Sequence, residues 1–396
     1  MEGEARGTSR KEGGRFLRWK EAFKAYGLVE PRRGGEALEL KRILQEAEEL
    51  RERCRFSEAL SLYERVLSLC PDDDLPDRLL CHLRAGDCLR MLGRFREALS
   101  HYERAEEISL KLESDWDRAD ALVGKGLALR GIGRHREALA YFDEARSMYM
   151  TYGDPAGESY ALWAAGGSLR ALGELERAQK FLEEALSLAE EVDDLPAQGY
   201  SLCALGGLLR VRGRYEESLE KYLRANEVLS EEGDTFGVAY SFCGIANANR
   251  TLENYELAFR YYEKATERYK EIGDKPSYAY TVWGRGTAHK MVGELERAEE
   301  DFSEAEVLFR EVDDLRGMVY AKLGLGEVAI LRGERESGVR LLREALESTR
   351  EFPIERLHAE LLLSLAGGRR ANALVEEYRR MGTEFPRRLE LPLNIP

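Results

Sequence analysis

Apolar and polar positions along this chain follow a helical rhythm that resets every forty residues. The reset is marked by a glycine or its stand-in: Gly93, Gly133, Gly173, Gly213, Glu253, Gly293 and Gly333. Five residues after each rung stands a small residue (Ala98, Ala138, Ala178, Ser218, Ala258, Ala298, Gly338). Nine after it stands a bulky one (Tyr102, Phe142, Leu182, Tyr222, Tyr262, Phe302, Leu342), and twelve after it an alanine (Ala105, Ala145, Ala185, Ala225, Ala265, Ala305, Ala345). Small, large and small at those offsets lie on one helical face, which predicts a helix packed closely against the helix before it. Between units come acidic turns: Ser114-Asp115, Gly153-Asp154, Asp193-Asp194, Gly233-Asp234, Gly273-Asp274 and Asp313-Asp314. There a glycine stops one helix and an aspartate caps the next. Recurrence at every turn makes these acids caps rather than metal ligands. A helix pair repeated at a fixed period predicts a solenoid, one continuous array rather than separate domains.

The ends of the array differ from its middle. Residues 1–35 divide into a polar, Gly- and Arg-rich start expected to be disordered and a short amphipathic helix. That helix carries Phe16, Trp19, Phe23 and Tyr26 beside Arg15, Arg18, Lys20 and Lys24. It reads either as a lid on the first repeat or as a docking helix for a partner or an acidic membrane surface. Residues 36–350 hold eight helix pairs, the first shifted by one residue with Cys54 in the glycine's place. Residues 351–382 form a shortened capping pair, where Arg380 replaces the packing alanine. Residues 383–396, with three prolines and an apolar rhythm, are expected to be extended. Such a tail would lie in a groove, its own or a neighbour's, which raises autoinhibition and self-association.

Composition narrows the function classes. The chain of 396 residues is 43% hydrophobic and 34% charged, with a net charge of −14. Much of the acid falls on the outer faces of second helices, as in Glu103-Arg104-Ala105-Glu106-Glu107, a solvated face that disfavours bulk nucleic-acid binding. No run approaches the roughly 18 to 20 apolar residues of a membrane span, and the start has no secretory core. A cytoplasmic address is expected. Six cysteines (Cys54, Cys70, Cys81, Cys88, Cys203, Cys243) form no C-x-x-C pair and read as reduced thiols.

The segment Gly133-Arg134-His135-Arg136-Glu137-Ala138-Leu139-Ala140-Tyr141-Phe142-Asp143-Glu144-Ala145, preceded by Gly126, resembles the tetratricopeptide repeat. The likeness recurs down about nine tenths of the chain. Its forty-residue unit is similar to those of kinesin light chains, Pins-type polarity adaptors and MalT- and Rap-type regulators. The resemblance implies an all-α, right-handed superhelical α-solenoid whose first helices line a concave face that holds a partner segment. It implies no catalysis. Longer units predict a deeper groove than the standard thirty-four-residue repeat.

Offsets counted back from each rung locate that face, because 13, 10, 6 and 3 residues before it share one helical stripe. Thirteen before stand Tyr160, Tyr200, Tyr240, Tyr280 and Tyr320; three before stand Arg90, Arg130, Arg170, Arg210, Arg250 and Lys290. One reading of these columns is packing between repeats for the tyrosines and the helix dipole for the cations; the other is a binding surface. Their shared stripe favours an extended segment bearing carboxylates, phosphates or aromatics. Ten before, the column reads Leu83, Val123, Trp163, Cys203, Cys243, Trp283, Leu323; six before, Asp87, Leu127, Gly167, Gly207, Asn247, Thr287, Glu327. These sizes predict a recess around Gly167, Gly207, Cys203 and Cys243, walled by Trp163 and Trp283 and rimmed by Arg170, Arg210 and Arg250, with Asn247 placed to hydrogen-bond a peptide backbone. Thr287 and Lys290 extend the candidate site.

Catalytic signals fall away. Gly324-Leu325-Gly326-Glu327-Val328-Ala329 scores as a dinucleotide fingerprint, but Gly124/Gly126 and Gly284/Gly286 repeat it and no strand precedes it. Five histidines lack metal-ligand spacing, and no nucleophile elbow or phosphate loop is present. The expectation is a non-enzymatic adaptor, with no cofactor or metal, that captures an extended segment of another protein. The alternatives are a peptide- or small-ligand-responsive regulator, and a reader of nucleic acid or a phosphate ligand.

Overall fold

The computed structural model describes residues 35–369 and 371–396. The amphipathic helix expected near residues 14–27 lies outside them. Among the described residues eighteen helices follow one another and no strand occurs. Eight antiparallel pairs run from Gly35–Glu52 with Phe56–Leu69 to Leu315–Leu331 with Arg335–Glu347, and a shorter pair, Pro353–Ala366 with Asn372–Arg380, closes the array. No described helix is long and apolar enough to cross a membrane.

The rungs are the turns inside each pair. Every one sits in the left-handed region, from φ +57° at Cys54 to +88° at Gly333. Glycine adopts this conformation freely, whereas Cys54 and Glu253 bear a strain of about 1–2 kcal/mol for an L side chain. At the turns between pairs, an aspartate accepts a hydrogen bond from the backbone three residues on. Asp154 accepts from Gly157 N at 3.0 Å, Asp194 from Ala197 N at 3.0 Å, Asp234 from Gly237 N at 2.8 Å, Asp274 from Ser277 N at 2.9 Å and Asp314 from Gly317 N at 2.8 Å. Each satisfies one donor that the first helical turn otherwise leaves open.

The bulky residue nine after a rung is the wedge between units. Tyr102 lies against Gly86 of its own pair and Gly124 of the next, where an added Cβ would fall 2.8 and 2.3 Å from its ring. Phe302 lies between Gly286 and Gly324 in the same way, at 3.1 and 2.7 Å, and Gly326 faces Leu342 at 2.9 Å. The glycines of the dinucleotide-like segment thus each make room for a wedge. Fully burying one such side chain contributes roughly 1.5–3 kcal/mol.

The array also touches itself. Arg96 pairs with Asp313 at 2.9 Å across 217 residues. Arg136 approaches Glu351 at 3.4 Å, and His135 meets Phe352 edge-on at 5.9 Å between ring centroids. A Cβ on Gly93 would fall 2.6 Å from Val312, and one on Gly173 2.4 Å from Met381. The superhelix therefore turns once in roughly five units and lays its second turn on its first.

Candidate functional site

The inner face is built by the stripe of first-helix residues, and most of that stripe is engaged within the protein. The Trp163 indole donates to Tyr200 O at 3.2 Å, and Trp283 donates to Tyr320 O at the same distance, so each tryptophan ties its helix to the next first helix. Trp163 also stacks on Tyr160, with ring centroids 5.8 Å apart. Tyr200 donates to Asp234 at 2.7 Å, and Tyr280 is hydrogen-bonded to Asp314. Tyr240 stacks on Phe236 at 6.3 Å. Tyr200 and Tyr280 thus tie their units to the next through its capping aspartate.

The small residues are covered rather than open. The guanidinium of Arg130 lies over Gly167, with Nη1 2.6 Å from where a Cβ would stand, and that of Arg170 lies over Gly207 at the same 2.6 Å. Each arginine reaches one unit ahead and takes up the room that its neighbour's glycine leaves. Cys203 is buried and Cys243 half-buried, and all six cysteines are free thiols. Burial pushes the Cys243 thiol up, which favours the protonated form. Asn247 spends its amide inside the protein: Nδ2 donates to Cys243 O at 3.0 Å and Oδ1 accepts from Tyr262 OH at 2.9 Å. Thr287 donates to Trp283 O at 3.1 Å.

Along the basic rail the surroundings divide in two. Arg250 is fully buried and donates to Tyr262 OH at 3.2 Å and, through Nη1, to Asn394 Oδ1; Asn394 Nδ2 donates back to Arg250 O at 2.8 Å. Lys290 donates to Glu327 Oε2 at 2.5 Å and to Leu393 O at 2.8 Å, while Leu393 N donates to Glu327 Oε1. Burial pulls the Lys290 ammonium down and the Glu327 carboxylate opposes it. Arg250, like Arg130, Arg170 and Arg210, has no carboxylate within 4.0 Å among the described residues, but of these four only Arg250 is hydrogen-bonded to the tail. Arg130 donates to Ala164 O at 3.2 Å and faces the Trp163 ring at 5.1 Å. Arg210 Nε and Nη1 are buried with no hydrogen-bond partner among the described residues. Burial, with Arg90 and Arg170 adding like charge, pulls Arg130 down to about 10.

The partner of the satisfied end is the chain's own tail. Glu384 N donates to Arg212 O at 3.0 Å, Thr383 Oγ1 to Val211 O at 2.6 Å, and Arg387 to Gly213 O at 3.1 Å. Arg387 also covers the Tyr215 ring at 4.2 Å, and Arg388 pairs with Glu253 at 3.3 Å. Beyond them Leu393 and Ile395 are buried beside Arg250 and Lys290. The tail crosses the rung turns and ends against the last turns of three successive first helices. Asn394 and Glu327 are the residues of this contact that spacing alone did not single out. The one available signal was that Glu327 follows Lys290 by 37 residues, the same step that joins Trp163 to Tyr200.

Comparison with known proteins agrees with this architecture. The tetratricopeptide repeat model matches residues 42–111, 117–191, 158–231, 197–271 and 235–312. No curated protein sequence matches the chain. Among solved structures, a Rap protein complexed with competence and sporulation factor superposes with a TM-score of 0.56 at 13% identity, covering 87% of this chain and 99% of its own. The Rap conjugation gene regulator of plasmid pLS20, in complex with a Phr peptide, gives 0.59 at 16% identity, covering 80% and 96%. The apo form of the quorum sensor NprR from B. thuringiensis gives 0.54 at 15% identity, covering 84% and 92%.

Proposed function

Because this chain belongs to the tetratricopeptide repeat family, we propose that it is a non-catalytic, cytoplasmic interaction scaffold whose inner face holds an extended segment of another protein. The observation that carries this reading is the tail. Main-chain and side-chain groups of Leu393 and Asn394 are held by Arg250, Lys290 and Glu327, which is how a peptide backbone is gripped without regard to most of its side chains. The stripe that takes the tail continues past Arg210, Arg170 and Arg130. The tail then acts as a resident competitor at one end of the partner's path. At 13–16% identity the likeness to peptide-complexed Rap proteins carries the fold, and the peptide-holding role rests on this chain's own geometry.

The test is site-specific photo-crosslinking. A photoreactive phenylalanine analogue replaces Tyr240 on the inner face or Glu220 on the exposed outer face. Partner adducts are expected from position 240, and more of them when residues 386–396 are deleted. Adducts from position 220 alone would place the partner on the outside and end the proposal.

A further inference from the structure

The unsatisfied part of the rail says what chemistry the partner segment brings. Arg130, Arg170 and Arg210 stand at equivalent places on consecutive units. Each is half-buried, yet no described carboxylate lies within ion-pair reach, in a chain that carries 74 acidic residues. Arg210 Nε and Nη1 have no hydrogen-bond partner among the described residues. A guanidinium that loses hydration and gains no counter-charge is held at a cost, and a carboxylate removes that cost through short charge-assisted bonds. Where the same rail meets the tail, Lys290 has its carboxylate in Glu327 and Arg250 is met by Asn394. Neither kind of partner meets the three central arginines among the described residues.

Spacing narrows the ligand further. Packed helices lie about 10 Å apart, so consecutive guanidinium groups step by about that distance. An extended chain advances about 3.3 Å per residue, or three residues per step. We infer that the inner face from Arg130 to Arg210 is a carboxylate site for an extended acidic segment with Asp or Glu at every third residue. The inference rests on the peptide-holding role proposed above. A nucleic-acid strand fits less well: its charges are far denser than one per 10 Å, and most would enter a chain of net charge −14 without a cation to meet them. The half-exposed faces of Tyr200 and Tyr240 flank the path and suit the apolar residues between the acids.

The experiment is calorimetric titration of the full chain, at constant moderate salt, with four probes. These are a twelve-residue Gly/Ser peptide with glutamate at positions 3, 6 and 9, the same peptide with glutamine there, one with three adjacent glutamates, and tripolyphosphate. The spaced acidic peptide is expected to bind at least about tenfold more tightly than the glutamine peptide and severalfold more tightly than the clustered one. Arg170→Gln and, independently, Arg210→Gln are expected to weaken it about tenfold while leaving the melting temperature unchanged or raised, since each removes a half-buried charge that no described carboxylate pairs. Equal binding of the glutamine peptide overturns the carboxylate site and leaves the scaffold reading standing. Equal binding of the clustered peptide overturns the spacing. Tripolyphosphate that binds more tightly than the spaced peptide and displaces it makes this a phosphate site. Failure of every peptide overturns the carboxylate site, and crosslinking from position 240 then decides the scaffold reading separately.

Discussion

Glu327→Gln tests whether the tail is seated by charge. Glu327 is fully buried and its two oxygens serve different partners, Lys290 Nζ at 2.5 Å and the Leu393 amide. Glutamine preserves shape and one acceptor but leaves the Lys290 ammonium buried without a counter-charge, a change worth about 3–5 kcal/mol when one member of a buried pair is removed. The protein has a cheaper response than unfolding. Leu393 and Ile395 anchor the tail with ~3–6 kcal/mol of apolar burial, while ordering each backbone residue costs ~1–2 kcal/mol, so the polar clamp decides whether residues 391–396 stay in place. Release lets water reach Lys290. Hydrogen exchange read at the Leu393 amide should accelerate by roughly a hundredfold in Glu327→Gln, the equivalent of about 3 kcal/mol of lost local stability. The double variant Lys290→Met with Glu327→Leu, which replaces the pair by apolar groups, should keep global stability within about 1–2 kcal/mol of wild type and still lose protection at Leu393. If Glu327→Gln leaves exchange at Leu393 unchanged and costs less than about 0.5 kcal/mol in denaturant unfolding, the charge clamp does not hold the tail.

Two further predictions concern the turns. Burial pushes Asp274 up to about 6 from an ordinary value near 3.8, so the folded protein holds a proton there that the unfolded chain has released. Stability from this group should therefore fall by up to roughly 2–3 kcal/mol as pH rises from about 4 through 6; Asp274→Asn, which keeps the cap, should flatten that part of a stability-versus-pH curve, and an unaltered slope would refute it. At the contact between superhelical turns, Val312→Asp buries a carboxylate against Gly93 and should cost about 2–4 kcal/mol and enlarge the radius of gyration in small-angle scattering. Arg96→Ala, which breaks the exposed pair with Asp313, should cost under about 1 kcal/mol; similar losses from the two would show that apolar contact is not what joins the turns.

What could be read from the sequence was what repeats locally. A rung in the left-handed region, an aspartate three residues before an open amide and a wedge facing two glycines all involve neighbours one unit apart or nearer. The period exposes each of them. The contact of Arg96 with Asp313 depends instead on small rotations accumulated over 217 residues, and no single unit encodes their sum. The columns of the inner stripe were legible as columns, but the sizes at Gly167 and Gly207 suggested open space because the arginines that cover them are anchored one unit earlier. The grip on the tail was hidden for a related reason: Asn394 and its partner Arg250 lie 144 residues apart and share no period.

The stacking of one superhelical turn on the next gives this molecule the mechanics of a close-wound spring. A coil whose windings already touch can lengthen but cannot shorten. Any occupant that alters its pitch must therefore do so in one direction, by parting Gly93 from Val312 and Arg96 from Asp313. That opening is resisted at both windings at once. An ordinary solenoid frays from its ends, each unit answering only to its neighbours. Here a force applied to the last units is felt by the first.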